Sequence, residues 1–346
     1  MNKLLSKTLF AAIGLALSST VALADKTELT VSSWLPMTHH INAGILQPYG
    51  ERVSEATDGR VTLNFLSKAL GAPAEHFELT RKGMADITWG NFTYEPKRFA
   101  VFTLFELPLL SSSSEVSSVA AWNTFDKYMR GKLKSLDGVE ILGMMQLDPG
   151  QINMRDKAVL TAEDLKGKKV RAGGPVQSAL LDAAGAVSIS APQSKSYELL
   201  STGVVDGTFS NTEALGGFKL FEVLKYQTEI KGGAYNGSFY IAMNKKKFDQ
   251  LSQEDREAII KISGVELSRA AGQDWDHSSS VGKKEAADNG MNFVEPTPEL
   301  LALIEKVKQE QQAVWMESAK AAGIENPQEV MDFFFAEIER LEKEKS

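Results

Sequence analysis

Two stretches of this chain read as one unit written twice. Residues 77–91 are FELTRKGMADITWGN and residues 197–211 are YELLSTGVVDGTFSN, identical at Glu, Leu, Gly, Asp, Thr and Asn. Each reads as a helix closed by a glycine, Gly83 or Gly203, then a turn and a strand ending at an asparagine, Asn91 or Asn211. Glycine suits a helix end because the chain there adopts a left-handed conformation. A helix and a strand joined in this way bury their apolar faces against each other, so the repeat implies two similarly built α/β domains. Ligands of open α/β sheets bind outside the carboxyl ends of the strands. Two such ends facing one another make a cleft, with Asn91 and Asn211 placed one per domain. Asp86 and Asp206, which precede the two strands, read as turn residues rather than as an acid/base pair.

The rest of the chain keeps the alternation. Leu29–Trp34, Val61–Leu66, Ala85–Trp89 and Val139–Leu147 read as strands, with helices expected over Ile41–Thr57 and Ala74–Lys82. Asp148-Pro149-Gly150 is a turn signal. The pattern restarts with a strand at Val170–Ala172, a helix over Pro175–Ala184 and a strand at Val187–Ser190. Further on, Ser252-Gln253-Glu254-Asp255 is a capping box. From it a helical pattern runs without proline to Asn289, where Gly290 supplies the stop. At 1.5 Å per residue this gives roughly 50 Å of helix, enough to brace both domains. A short strand at Met291–Val294 and helices over Pro298–Ala322 and Pro327–Lys343 complete the chain.

Composition narrows the chemistry. The 346 residues are 43% hydrophobic and 24% charged, as in ordinary globular proteins, and their number suits two domains. The absence of cysteine excludes disulfides, thiolate metal sites and cysteine nucleophiles. A net charge of −7 provides no basic face for a nucleic-acid backbone. Lys3 and Lys7, an apolar stretch from Leu9 to Leu17, and Ala22-Leu23-Ala24 form an export signal over residues 1–24, cleaved after Ala24. Its apolar core is shorter than the roughly 20 residues of a membrane span. The chain has no GxSxG, P-loop or GxGxxG. His39, His40, His76 and His277 fall in no metal-ligand spacing, so no metal or cofactor is expected. His39-His40, in a loop after the first strand, is either an exposed polar pair or part of a cleft wall. Ser111–Ser114 reads as a loop. An exported two-domain chain without a nucleophile constellation reads as a binder rather than an enzyme.

A run of motifs carries a family resemblance: Trp34-Leu35-Pro36, ERVSEATDGRV at 51–61, KALGAP at 68–73, GMADITWG, FELPLL, EDLKGKKVRAGG at 163–174, and VVDG at 204–207. Together and in order they resemble the extracytoplasmic solute-binding proteins of TRAP transporters, the DctP family. The resemblance implies an α/β fold like that of periplasmic binding proteins, two domains around a ligand cleft with a long bracing helix. It implies closure on a small organic acid, delivery to a sodium-driven TRAP permease, and no catalysis. Residues 25–150 with 237–277 would form domain I, and 151–236 with 278–346 domain II. Hinge crossings would lie near Asp148–Gln151 and Asn236–Gly237.

In that family the arginine of a GxKxR strand pairs with the ligand's carboxylate, which points to Arg171 in Gly167-Lys168-Lys169-Val170-Arg171. A planar guanidinium suits this independently, because it can form two parallel bonds to a carboxylate. The resemblance further suggests Asn91 with nearby Trp89, Ser210-Asn211 in the second domain, and Gln151 at that domain's start. Trp34, His39 and Asn236 complete the candidate set. Trp89 reads equally well as core. In 2-oxoacid binders of the family a glutamine at the place of Gln151 helps hold a metal with an acid after the VDG-like segment. Thr208-Phe209-Ser210 offers no carboxylate, which argues against a metal. Lys68 stands where the family more often has a small residue, and is either a second cation or a solvated loop lysine. The expectation is a monomeric periplasmic receptor for a small organic carboxylate. The alternatives are an exported ligand sensor for a membrane receptor kinase and an exported α/β enzyme using His39 or His40. The ligand itself is not legible.

Overall fold

The computed structural model describes residues 26–345. The expected export signal and its cleavage site lie outside them. In chain order the strands are β1 (Thr27–Ser32), β2 (Val61–Phe65), β3 (Ile87–Asn91), β4 (Val139–Gln146), β5 (Gly150–Met154), β6 (Lys169–Ala172), β7 (Val187–Ser190), β8 (Gly207–Asn211), β9 (Tyr226–Thr228), β10 (Ser238–Asn244) and β11 (Asn292–Val294). The helices are α1 (Gln47–Ala56), α2 (His76–Arg81), α3 (Ser114–Tyr128), α4 (Pro175–Ala183), α5 (Ser196–Ser201), α6 (Glu213–Gly217), α7 (Lys245–Gln250), α8 (Gln253–Ile262), α9 (Val265–Asp288), α10 (Pro298–Ala321) and α11 (Pro327–Lys345).

The strands form two sheets, ordered β2-β1-β3-β10-β4 and β11-β9-β5-β8-β6-β7. Each contains a parallel trio, β2-β1-β3 or β7-β6-β8, extended by one antiparallel strand, β10 or β5. The repeat supplies α2 and β3 to one lobe and α5 and β8 to the other, and its shared residues do the same work twice. Gly83 and Gly203 close the helices at φ +71° and +74°. The Asp86 carboxylate accepts from the Thr30 N–H at 2.8 Å, and that of Asp206 accepts from the Lys169 N–H at 2.8 Å. Each aspartate thus ties its own strand to the neighbouring parallel one, a structural role in both places.

The chain crosses between lobes twice, from β4 to β5 and back from β9 to β10. The crossings are bonded to each other, with the Gly150 N–H donating to Tyr235 O at 3.0 Å and the Leu147 N–H to Gly237 O at 3.1 Å. A third link is α9, which packs on α3 and β4 of the first lobe and on α6 of the second. Gly272 and Gly282 permit this: a Cβ at Gly272 would stand 2.5 Å from the Glu115 Cα, and one at Gly282 would stand 2.9 Å from the Thr212 and Glu213 carbonyls.

Four expectations are corrected. The bracing helix is not continuous from Ser252, because it breaks at Ser263–Gly264, where Gly264 has φ +64°. The Gly264 N–H leaves the helix and donates to Leu142 O at 2.7 Å. What remains is α9, about 36 Å long at 1.5 Å per residue. The helix expected over Ile41–Thr57 is also composite, opening with a π-helical turn, Ile41–Leu46, before α1. Nor do the C-terminal helices belong to the second domain alone. Helix α10 begins against α4, but Trp315, Phe334 and Ile338 enter the aromatic core of the first lobe beside Phe102 and Phe105. The Trp315 Nε1–H donates to Val101 O at 2.7 Å, which fixes this attachment. The serine run is only partly loop: Ser113 caps α3, its hydroxyl accepting from the Val116 N–H at 3.4 Å.

Candidate functional site

Between the lobes lies a small cavity lined by residues from both. Its walls are carboxyl ends of strands, as the topology requires. Arg171 comes from β6, Asn91 from β3, Asn211 from β8, and Trp34 from the loop after β1. Trp34 stacks on Trp89 at 4.5 Å between ring centroids, and Phe218, Tyr235, Phe239 and Trp275 extend the aromatic lining. The lobes meet across the cavity, where the Gln193 N–H donates to the Tyr94 hydroxyl at 3.1 Å.

Arg171 is 2% exposed. Its Nε–H donates to Ala191 O at 2.8 Å, and its Nη1 donates to Gln193 Oε1 at 2.8 Å and to Phe209 O at 2.9 Å. These neutral acceptors hold the guanidinium in place and leave Nη2 out of the set. Among the described residues no carboxylate forms an ion pair with it. Burial lowers its pKa, while the nearby Tyr94 and Tyr235 act in the opposite direction. Burial likewise raises the Tyr94 and Tyr235 hydroxyls, so both stay protonated. Three further lining residues present buried donors without a partner, at Trp34 Nε1, Trp275 Nε1 and Gln193 Nε2. Asn91 uses its Oδ1 to accept from Thr93 N at 2.9 Å and Thr93 Oγ1 at 2.7 Å, so its amide nitrogen is the group left for the cavity. A cation and several donors behind aromatic walls suit an acceptor-rich, flat anion.

At one end of the cavity, burial and the adjoining His40 pull His39 down to about 3. Burial pushes the Glu213 carboxyl up to about 7, against the favourable field of His40 and with Asp148 and Asp274 adding to the rise. Asp148, in the first crossing, holds the start of α6. It accepts from the Thr212 N–H at 2.9 Å, from the Ser279 hydroxyl at 2.8 Å, and from the Asn211 amide.

Of the residues named from the sequence, Trp34, His39, Trp89, Asn91, Arg171 and Asn211 line this one cavity. Four do not. Lys68 is exposed and lines none of the cavities described. Ser210 alternates with Asn211 along β8, so it faces the other side of the sheet, where it meets Asn153. Gln151 pairs opposite Ser210 and shares that face; its amide is spent on the Ile230 backbone, at 2.7 and 3.3 Å. Asn236 donates to Leu107 O and Gly232 O, at 3.0 and 3.1 Å, and fixes the return crossing instead. Tyr94, Gln193, Glu213, Phe218, Tyr235, Phe239 and Trp275 went unread. Tyr94 and Gln193 follow strands β3 and β7 within three residues, so inspection of every strand's carboxyl end finds them.

Comparison with known proteins bears on this geometry. A family model described as DctP, bacterial extracellular solute-binding protein, family 7, matches residues 32–322. A solved TRAP periplasmic solute-binding protein of Bordetella bronchiseptica, holding (R)- and (S)-mandelate, is 36% identical. It covers 91% of this chain and 99% of its own, with a TM-score of 0.87. A marine-metagenome TRAP solute-binding protein specific for aromatic acids, in complex with metahydroxyphenylacetate, is 28% identical. It covers 91% of this chain and 99% of its own, with a TM-score of 0.83. A Comamonas testosteroni protein named outer membrane transporter protein TsaT is 29% identical over 97% of both chains. These relatives are receptors and transport proteins, not enzymes. No helix among the described residues is long and apolar enough to cross a membrane. The family match over most of the chain, together with the two-lobed cleft, establishes that this protein belongs to the DctP family of TRAP-type extracellular solute-binding proteins.

Proposed function

We propose that the protein is a periplasmic receptor that captures an aromatic carboxylate between its lobes and hands it to a TRAP-type permease. The observation that carries this reading is Arg171. It is a buried guanidinium on the cavity wall without a carboxylate partner among the described residues, facing a surface made largely of indole and phenyl rings. A ligand carboxylate would supply the missing counter-charge, and its ring would lie against the Trp34–Trp89 stack. The aromatic acids held by two similar structures support the same chemistry. Export with cleavage after Ala24 and action as a monomer belong to the same reading; secreted material should begin at Asp25, and a start at Met1 counts against export.

Calorimetry of the mature chain with benzoate, mandelate, 3-hydroxybenzoate and succinate tests the ligand class. The reading expects an aromatic monocarboxylate to bind at least tenfold tighter than succinate. Preference for succinate, or no binding to any aromatic acid, overturns the aromatic assignment.

A further inference from the structure

A second constellation joins the lobes beside the ligand cavity. His39 and His40 stand between β1 and the π-helical turn, Glu213 opens α6 of the other lobe, and Asp274 approaches from α9. The Nε2 atoms of His39 and His40 lie 3.6 and 3.5 Å from Glu213 Oε1. One ligating atom from each of the three residues falls within 4.8 Å of the others. Both Nε2 atoms are buried without a hydrogen-bond partner, and the His39 side chain is 6% exposed. The other nitrogen of His40, Nδ1, is engaged by Asp274 Oδ2 at 2.6 Å. A carboxylate accepts, so Nδ1 is the donor of this bond and Nε2 is the His40 nitrogen left for a metal. Gly217 leaves room for the group, since a Cβ there would collide with the Glu213 carboxylate and stand 3.3 Å from His39 Nε2.

We propose that His39, His40 and Glu213 bind a divalent transition-metal ion of the zinc class, with Asp274 orienting His40. Two imidazole nitrogens and one carboxylate oxygen are a zinc donor set, with bonds of about 2.0–2.2 Å in tetrahedral geometry. Two such ligands then stand about 3.4 Å apart, close to the separations between each imidazole and Glu213. A carboxylate behind a ligating histidine is the usual outer-shell support of such a site. Imidazole donors disfavour calcium and magnesium, which take oxygen cages. To ligate through Nε2, His39 carries its proton on Nδ1 and gives up a contact from the Ile41 N–H, a long one at 3.4 Å. A groove lined by Thr38, Gly44 and His277 gives the ion access from solvent. Because the ligands come from both lobes, the ion clamps the closed form. It therefore raises affinity for a cavity ligand and is itself bound more tightly when that ligand is present.

The site does not depend on which acid the cavity takes, so its test uses zinc alone. The mature chain, stripped with chelator, is titrated with zinc chloride by calorimetry in a non-coordinating buffer. One saturable site is expected, weakened at least tenfold by Glu213→Gln or His40→Ala and about tenfold by Asp274→Asn. His277→Ala should leave it unchanged. Cobalt substituted at the site should show the intense visible bands of tetrahedral coordination, and these should vanish in Glu213→Gln. Melting curves establish that each variant is folded; should His40→Ala fail to fold, Glu213→Gln, which keeps the side chain's volume, decides. Absence of saturable binding overturns the proposal, as does binding that survives Glu213→Gln or is lost in His277→Ala.

Discussion

Arg171 carries a charge where water does not reach it, and the fold supplies carbonyl and amide oxygens but no anion to meet that charge. Truncating one partner of a buried charge pair typically costs about 2–5 kcal/mol. Arg171→Ala should therefore weaken an aromatic carboxylate by at least about 30-fold, at roughly 1.4 kcal/mol per tenfold. Arg171→Lys should weaken it as well, because a point charge cannot reproduce the planar fork. Calorimetry that finds a folded Arg171→Ala protein within threefold of wild type would place the carboxylate elsewhere. Glu106 presents the opposite case, a buried acid with an unpartnered Oε1, where burial raises the pKa well above the ordinary value of 4.5. The folded protein keeps this proton while the unfolded chain loses it, so stability falls as pH rises from 4.5 toward the raised value. The slope is as much as about 1.4 kcal/mol per pH unit. Glu106→Gln removes that term, so its melting temperature relative to wild type should climb between pH 5 and pH 8. A difference that stays flat with pH would mean Glu106 is ionised in the fold. Asn91 and Asn211 were legible as cavity-wall residues because the repeat sets them at strand ends, and Arg171 was legible through the family resemblance of its strand motif. Glu213 and Trp275 were not, because they reach the cavity only through the meeting of two lobes and a helix far along the chain.

At the scale of elements, alternation along a strand decides what sequence reading gets right. Asn211 and Ser210 are neighbours in a motif, yet only one can face the cavity, and no local pattern says which. The bracing helix shows the same limit. Its polar and apolar periodicity continues through Ser263–Gly264, and the break is set by a tertiary bond to Leu142 and the approach of Trp122 to Gly264. The glycines of α9 carry a test. In an exposed helix interior Gly→Ala gains about 1 kcal/mol. Gly272, however, lies against the backbone of Ser114 and Glu115, where an added Cβ would come within 2.5–2.7 Å. Backbone cannot rotate away, so Gly272→Ala should cost about 1–3 kcal/mol, as overpacking usually does. Chemical denaturation measures it, and a stabilised variant would show that α9 is loosely seated on the first lobe. Helix α11 was misplaced for a related reason: its stripe of Val330, Phe334, Ile338 and Leu341 specifies burial without specifying the lobe.

The whole molecule is two lobes joined by two bonded crossings and by helices α9 and α10, and two-lobed proteins of this kind commonly close by bending at such crossings while each sheet stays intact. A ligand held by both lobes favours the closed arrangement, and contacts made only on closure add to its affinity without adding to the stability of either lobe. The Gln193 N–H bond to the Tyr94 hydroxyl runs from one lobe to the other beside Arg171, and it is the contact on which this can be tested. Tyr94→Phe removes the hydroxyl and keeps the ring. If the lobes close only around ligand, the ligand-free stability should match wild type within about 0.5 kcal/mol, because the open form leaves the Gln193 N–H to water. With an aromatic carboxylate bound, dissociation should quicken several-fold with little change in association, since contacts that close over a ligand act mainly on release. At a ligand concentration 100 times Kd, wild type should gain about 2.7 kcal/mol of stability. The variant, at that same concentration, should gain less by the loss in affinity. Stopped-flow dissociation and paired melting curves separate these effects. If ligand-free stability falls as far as affinity does, the Tyr94 contact persists in the unliganded protein, and the lobes are held together by the fold rather than by the ligand.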